Sequence, residues 1–104
     1  MKAAVIKQHG SFENISYEER HIPQVVAGQV LIKVKACGLN HLDLWVRKGV
    51  SGHRFPLPLV PGSDISGIVE QLGPDVTSLQ PGMRVLINPG ITCGVCDACK
   101  QNQE

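Results

Sequence analysis

The chain has 104 residues, 10 Lys+Arg against 9 Asp+Glu, and a formal net charge of +1. That length suits one domain, and a balance this even lacks the basic excess that nucleic-acid binding requires. Hydrophobic residues are 42% of the chain, enough for a modest core. No apolar run approaches the ~20 residues that cross a bilayer. The apolar stretch after Lys2 is also too short for a signal peptide. A soluble, cytoplasmic protein with no nucleic-acid or membrane partner is expected.

Gly and Pro together number 18 (11 and 7), and the aromatic residues are only four. Many turns and few large rings predict short strands joined by specified loops. In chain order, Lys2–Gln8 reads as a strand that His9-Gly10-Ser11 breaks. Ile15–Arg20 reads as a second, with Ile15 and Tyr17 on one face, ended by Pro23. Gln29–Cys37 is the clearest strand. Val30, Ile32, Val34 and Ala36 line one face, and Lys33 and Lys35 point to solvent from the other.

Asn40 is placed to cap a helix over His41–Lys48, with Asp43 in its first turn. Leu42, Trp45 and Val46 share one face of it, and Gly49 stops it. Pro56, Pro58 and Pro61 mark a loop. Ile65–Leu72 reads as a strand with a bulge or a close backbone approach at Gly67. Gln80-Pro81-Gly82-Met83 has the pattern of a type II turn, and Arg84–Ile87 resumes as a strand. Five or six short strands and one short helix predict a mainly β, partly open barrel.

Cys93, Cys96 and Cys99 stand in C-x2-C-x2-C spacing. Three thiolates so spaced converge on one ion, and a structural Zn²⁺ is the expected occupant. The segment carries no strong secondary-structure period, so its order is expected to depend on the metal. Free thiols, a disulfide and an iron–sulfur cluster are the competing readings. Iron–sulfur motifs continue with x3-C-P, and here Lys100-Gln101-Asn102-Gln103 follows instead.

The ordered set of motifs resembles one family. It comprises Met1-Lys2-Ala3-Ala4-Val5, Ala36-Cys37-Gly38-Leu39-Asn40-His41-Leu42-Asp43, Pro61-Gly62-Ser63-Asp64 through Glu70, Gly82-Met83-Arg84-Val85 and the cysteine lobe. Together they resemble the N-terminal catalytic domain of medium-chain dehydrogenases/reductases, the zinc alcohol dehydrogenase and quinone oxidoreductase superfamily. The resemblance covers essentially the whole chain. It implies a GroES-like barrel over 1–104, followed in a longer parent by a Rossmann NAD(P)-binding domain. It also implies a small-molecule substrate and a homo-oligomeric parent. It makes the cysteine lobe a structural zinc site whose fourth ligand lies past Glu104, so that the chain is a piece, inactive alone.

The catalytic zinc ligands of that family do not carry over. The positions of the ligand cysteine and histidine are Asn40 and Ser63, the neighbouring glutamate is Asp64, and the proton-relaying hydroxyl is Leu42. Serine and an asparagine amide are poor zinc ligands. The pattern is similar to zinc-independent quinone oxidoreductases, in which polar groups at the helix start line the substrate cleft. Asn40, Asp43, Ser63 and Asp64 are therefore the expected catalytic-cleft residues, and His41 the expected cofactor contact. Each also has a local role open to it. Asn40 and Asp43 suit a helix start, Ser63 and Asp64 suit a turn, and His41 suits a solvated surface. A stand-alone, metal-stapled binding module without catalysis is the alternative. No G-x-G-x-x-G follows a strand, so these residues are not expected to bind a dinucleotide.

Overall fold

A computed structural model describes residues 1–102. β1 (Lys2–Ile6) pairs antiparallel with β2 (Ile15–Glu19) in one sheet. In a second sheet, in the order β3-β4-β5, β3 (Val30–Gly38) pairs antiparallel with β4 (Asp64–Leu72), and β4 with β5 (Arg84–Leu86). The sheets do not close on each other. Between β3 and β4 lies α1 (His41–Lys48). An antiparallel bridge between Ile6 and Leu59 ties β1 to the proline-rich loop after α1. The mainly β, partly open fold expected from the sequence is the one observed.

Ala3, Val5 and Ile6 of β1 and Val69 of β4 are the buried apolar residues. β2 turns Ser16 and Glu18 partly inward, while Ile15 and Tyr17 face out. On β3 the expected split does not hold, since Val34 is 55% exposed and Ala36 is also exposed. The physical reason is an uncovered face. The described residues expose 8221 Å², whereas a compact monomer of this mass exposes about 5,700 Å². The apolar face of α1 is likewise open, with Leu42 at 44% and Trp45 at 54% exposure. Strand ends shift by one or two residues from expectation, and a 3-10 turn at Phe12–Asn14 was not foreseen.

Gly67 is the close approach that its place in a strand predicts. It faces Val34, and the register slips on either side, between Leu31 and Ile32 and between Val34 and Ala36. A Cβ there would overlap the Lys33 carbonyl and come within 2.6 Å of Ile32 Cγ2. The turn at 80–83 also forms, with Gly82 at φ +93° and Met83 N–H donating to Gln80 O. Among the described residues no helix is long and apolar enough to cross a membrane.

Candidate active-site cleft and metal lobe

Asn40 begins α1 in an extended conformation (φ −131°, ψ 153°). Its backbone N–H donates to Asp43 Oδ2 at 2.9 Å, the carboxylate arm of a capping box, and Asp43 N–H returns to Asn40 O at 3.0 Å. Two donors at the helix entrance are thereby satisfied. The side-chain amide reaches further. Asn40 Nδ2 donates to Asp64 Oδ2 at 2.9 Å, across 24 residues of sequence. Register explains the meeting, because Gly38 at the end of β3 pairs with Asp64 at the start of β4. One asparagine thus holds two carboxylates from two elements.

Asn40, Asp43 and Asp64 are therefore brought together. Ser63 precedes β4 and is half-buried. His41 is exposed and packs edge-on against Trp45, with ring centroids 4.9 Å apart. Beside Asp64 is a hollow of about 350 Å³, walled by Ala36, Ile65, Leu86 and Ile87, with Ser66 as a second polar residue.

The far end of α1 is latched by residues that the sequence marks only as a break. His9 Nδ1 lies 2.9 Å from Val46 O, so it carries the proton and donates. Gly10 N–H donates to Arg47 O at 2.9 Å, and Arg47 Nε returns to Gly10 O at 3.2 Å. Two otherwise orphaned helix carbonyls are satisfied from outside. The His9 ring also meets Phe55 edge-on and fills the space beside Gly49. No local pattern signals this latch, because its two sides are 37 residues apart.

In the cysteine lobe the ligand atoms of Cys93, Cys96 and Cys99 all lie within 4.8 Å of one another. Cys93 Sγ is 3.8 Å from Cys99 Sγ, and Cys96 Sγ is 3.4 Å from Cys99 Sγ. A tetrahedral site with Zn–S bonds of ~2.3 Å has S···S edges of about 3.8 Å, so these two edges, both at Cys99, suit such a site. No fourth candidate ligand joins the group among the described residues. The lobe is more regular than expected, since α2 (Asp97–Lys100) follows Cys96 as a single helical turn.

Backbone N–H groups of Val95 and Cys96 point at the Cys93 sulfur and lower its pKa from 9.0 to about 7. The neighbouring Cys96 thiol and then the Gly94 backbone lower that of Cys99. Such donors favour thiolate, the form that binds metal. Cys37 stands apart, weakly bonded to Gly38 O and pressed against Gly62.

Comparison with known proteins agrees with this architecture. The family described as the alcohol dehydrogenase GroES-like domain matches residues 26–104. An alcohol dehydrogenase of Geobacillus stearothermophilus is 41% identical over 106 residues, covering 100% of this chain and 31% of that protein. The NAD-dependent alcohol dehydrogenase of Sulfolobus acidocaldarius is 38% identical with the same coverage. The chain thus spans less than a third of the length of these curated relatives. A crystal structure of an NAD-dependent alcohol dehydrogenase superposes with a TM-score of 0.93 at 42% identity, over 99% of this chain and 30% of that one. The cobalt- and zinc-bound thermostable alcohol dehydrogenase of Pyrobaculum aerophilum gives 0.91 at 37% identity, over 99% and 31%. With a family match over most of its length and a shared fold at a TM-score of 0.93, the chain belongs to the alcohol dehydrogenase GroES-like domain family.

Proposed function

We propose that these 104 residues are the substrate-side portion of an NAD(P)-dependent oxidoreductase. Its reaction is hydride transfer between a nicotinamide and an alcohol or carbonyl, or a quinone or enone. The observation that carries the reading is the Asn40–Asp64 hydrogen bond. It joins the two segments in which the resemblance would place catalytic zinc ligands, and it uses them on each other. The cleft is accordingly read as working without a catalytic zinc.

In this reading Asn40 orients Asp64, and Asp43 fixes the backbone of Asn40. The Ser63 hydroxyl is available to donate to a substrate oxygen. His41, held against Trp45, lies on the cofactor side. The nicotinamide nucleotide is bound by the rest of the parent enzyme, which is read as a cytoplasmic homo-oligomer acting on a small molecule.

Cys93, Cys96 and Cys99 hold three corners of a zinc site. The zinc supplies no reaction chemistry there and instead cross-links a loop that has little core of its own. Support comes from the fit of two sulfur spacings to tetrahedral edges and from relatives named as alcohol dehydrogenases.

The test is nicotinamide-dependent turnover by the parent protein over alcohols, aldehydes, quinones and enones. Turnover is expected from protein holding a single zinc per chain, the structural one, and its absence on all four classes would refute the reading. Isothermal titration of the isolated 104 residues with NADPH is expected to show no tight binding. Tight binding would contradict the domain assignment.

A further inference from the structure

We propose that the cysteine lobe is also a capture site for trivalent arsenic, taken up as arsenous acid, which binds Cys93, Cys96 and Cys99 together and displaces zinc. The proposal rests on the reading of the lobe as a metal site and adds an occupant of different chemistry.

Three observations carry it. First, the number of thiols is right. Trivalent arsenic forms three bonds to sulfur and keeps a lone pair on its fourth side, so three thiolates complete it. Zinc in a structural site takes four ligands. Among the described residues the lobe gathers three candidate ligands, all of them cysteine, with ligand atoms within 4.8 Å of one another. Whatever group takes the fourth corner around zinc, arsenic has no use for it.

Second, the spacing suits a pyramid. Cys93 Sγ and Cys96 Sγ lie 3.8 and 3.4 Å from Cys99 Sγ. A zinc tetrahedron has edges of about 3.8 Å. The lone pair of arsenic bends its three bonds to one side, which draws the sulfurs together in the direction of the shorter edge.

Third, the sulfurs can be reached and can adjust. All three are free thiols, with Cys93 and Cys96 exposed and Cys99 half-buried. Gly94, at φ +76°, has nothing packed where a Cβ would stand. The single turn α2 buries no residue. No core has to move for the loop to close on a different centre, and soft thiolates favour thiophilic ones.

The chemistry balances without an oxidant. As each As–S bond forms, one As–O bond breaks and the hydroxide leaves as water. Its proton comes from the attacking thiol, or from solvent where zinc had held the thiolate. Arsenic stays trivalent, zinc departs as Zn²⁺, and no electrons change hands.

The test uses the whole protein that carries this chain, reduced and zinc-loaded, titrated with sodium arsenite. Metal content after desalting gives arsenic and zinc per chain, and alkylation mapped by mass spectrometry gives the free thiols. One zinc released per arsenic bound is expected, with Cys93, Cys96 and Cys99 all protected and Cys37 still alkylated. C93S, C96S and C99S are each expected to weaken arsenite by at least about 100-fold, since the lost bond would have closed on an atom already held. Cys37→Ser is expected to change nothing. One equivalent of phenylarsonous acid, which offers two bonds to thiols, is expected to leave one of the three open to alkylation. That arm needs no variant, so it decides the matter even where a serine variant fails to fold. Two thiols protected by arsenite instead of three, full affinity in any of the three serine variants, or protection of all three by the phenyl reagent overturns the proposal. Zinc that stays bound in excess arsenite overturns it too and leaves the zinc reading standing. Three-thiol capture of arsenic by protein that never takes up zinc would overturn the zinc reading alone.

Discussion

Replacing Cys93 with serine (C93S) removes the thiol that the lobe has tuned furthest toward thiolate, and the loss can be counted in protons. Zinc takes thiolates, so each thiol still protonated before binding releases a proton on binding. With a pKa of about 7, held down by the Val95 and Cys96 backbone N–H groups, Cys93 is about nine-tenths protonated at pH 6, half at pH 7 and one-tenth at pH 8. Its share of the protons released per zinc therefore falls by about 0.8 from pH 6 to pH 8. An untuned thiol at the ordinary 9.0 would change by only about 0.1 over the same range. Isothermal titration of zinc into reduced, metal-free protein, in buffers of differing ionisation enthalpy, reads the proton count directly. The difference between wild type and C93S is expected to decline from about 0.9 proton at pH 6 to about 0.1 at pH 8. The sign for affinity follows. Below pH 7 protons compete with zinc for Cys93, which alone weakens binding by up to about tenfold per pH unit, and above it this competition fades. C93S itself is expected to weaken zinc by at least about 100-fold, the upper end of what losing an outer-shell partner costs. A proton difference that stays the same from pH 6 to pH 8 would refute the tuning, and heat with no zinc stoichiometry would refute the site.

Gly67→Ala places a methyl against the Lys33 carbonyl and Ile32 Cγ2 and is expected to cost ~3 kcal/mol or more. Gly28→Ala, at φ +77° in open space, is expected to cost only ~1 kcal/mol, and equal losses in denaturant unfolding would contradict the packing argument. His9→Ala removes the hydrogen bond to Val46 O and the edge contact with Phe55, for about 1–2 kcal/mol. Faster amide exchange is expected in the last turn of α1, and unchanged exchange there would count against the latch. Glu18, hydrogen-bonded by Lys7, and Glu19, by the N-terminal ammonium and Lys2, both titrate below their ordinary 4.5. Their contribution is present above that value and is lost as pH falls through the depressed pKa, so 0.5 M NaCl is expected to reduce the slope of acid unfolding below pH 4.5.

The parts that were legible in the sequence are those whose causes are local. α1 spans His41–Lys48 as its caps predict, because Asn40, Asp43 and Gly49 act on backbone groups within one turn. Gly67 announced itself because only a residue without a side chain tolerates that backbone approach. The cysteines were legible from spacing, since two intervening residues let three sulfurs converge. On β3 the expected solvent face of Lys33 and Lys35 is exposed, and Val34 and Ala36 are exposed as well, because alternation gives the apolar face of a strand and leaves open whether another layer covers it. The Asn40–Asp64 contact needed the β3–β4 register, and the His9 latch needed a pairing 37 residues apart. Neither leaves a trace in any short window.

β3 also carries a lesson about self-association. It forms one border of the three-stranded sheet, nine residues long, and so offers a row of backbone donors and acceptors to any strand that drifts alongside. Lys33 and Lys35 are exposed on it, and its register slips twice against β4. A second copy approaching that border would have to bring lysines together and match a bent ladder, so the strand most open to templating an aggregate is also the one least able to stack on itself.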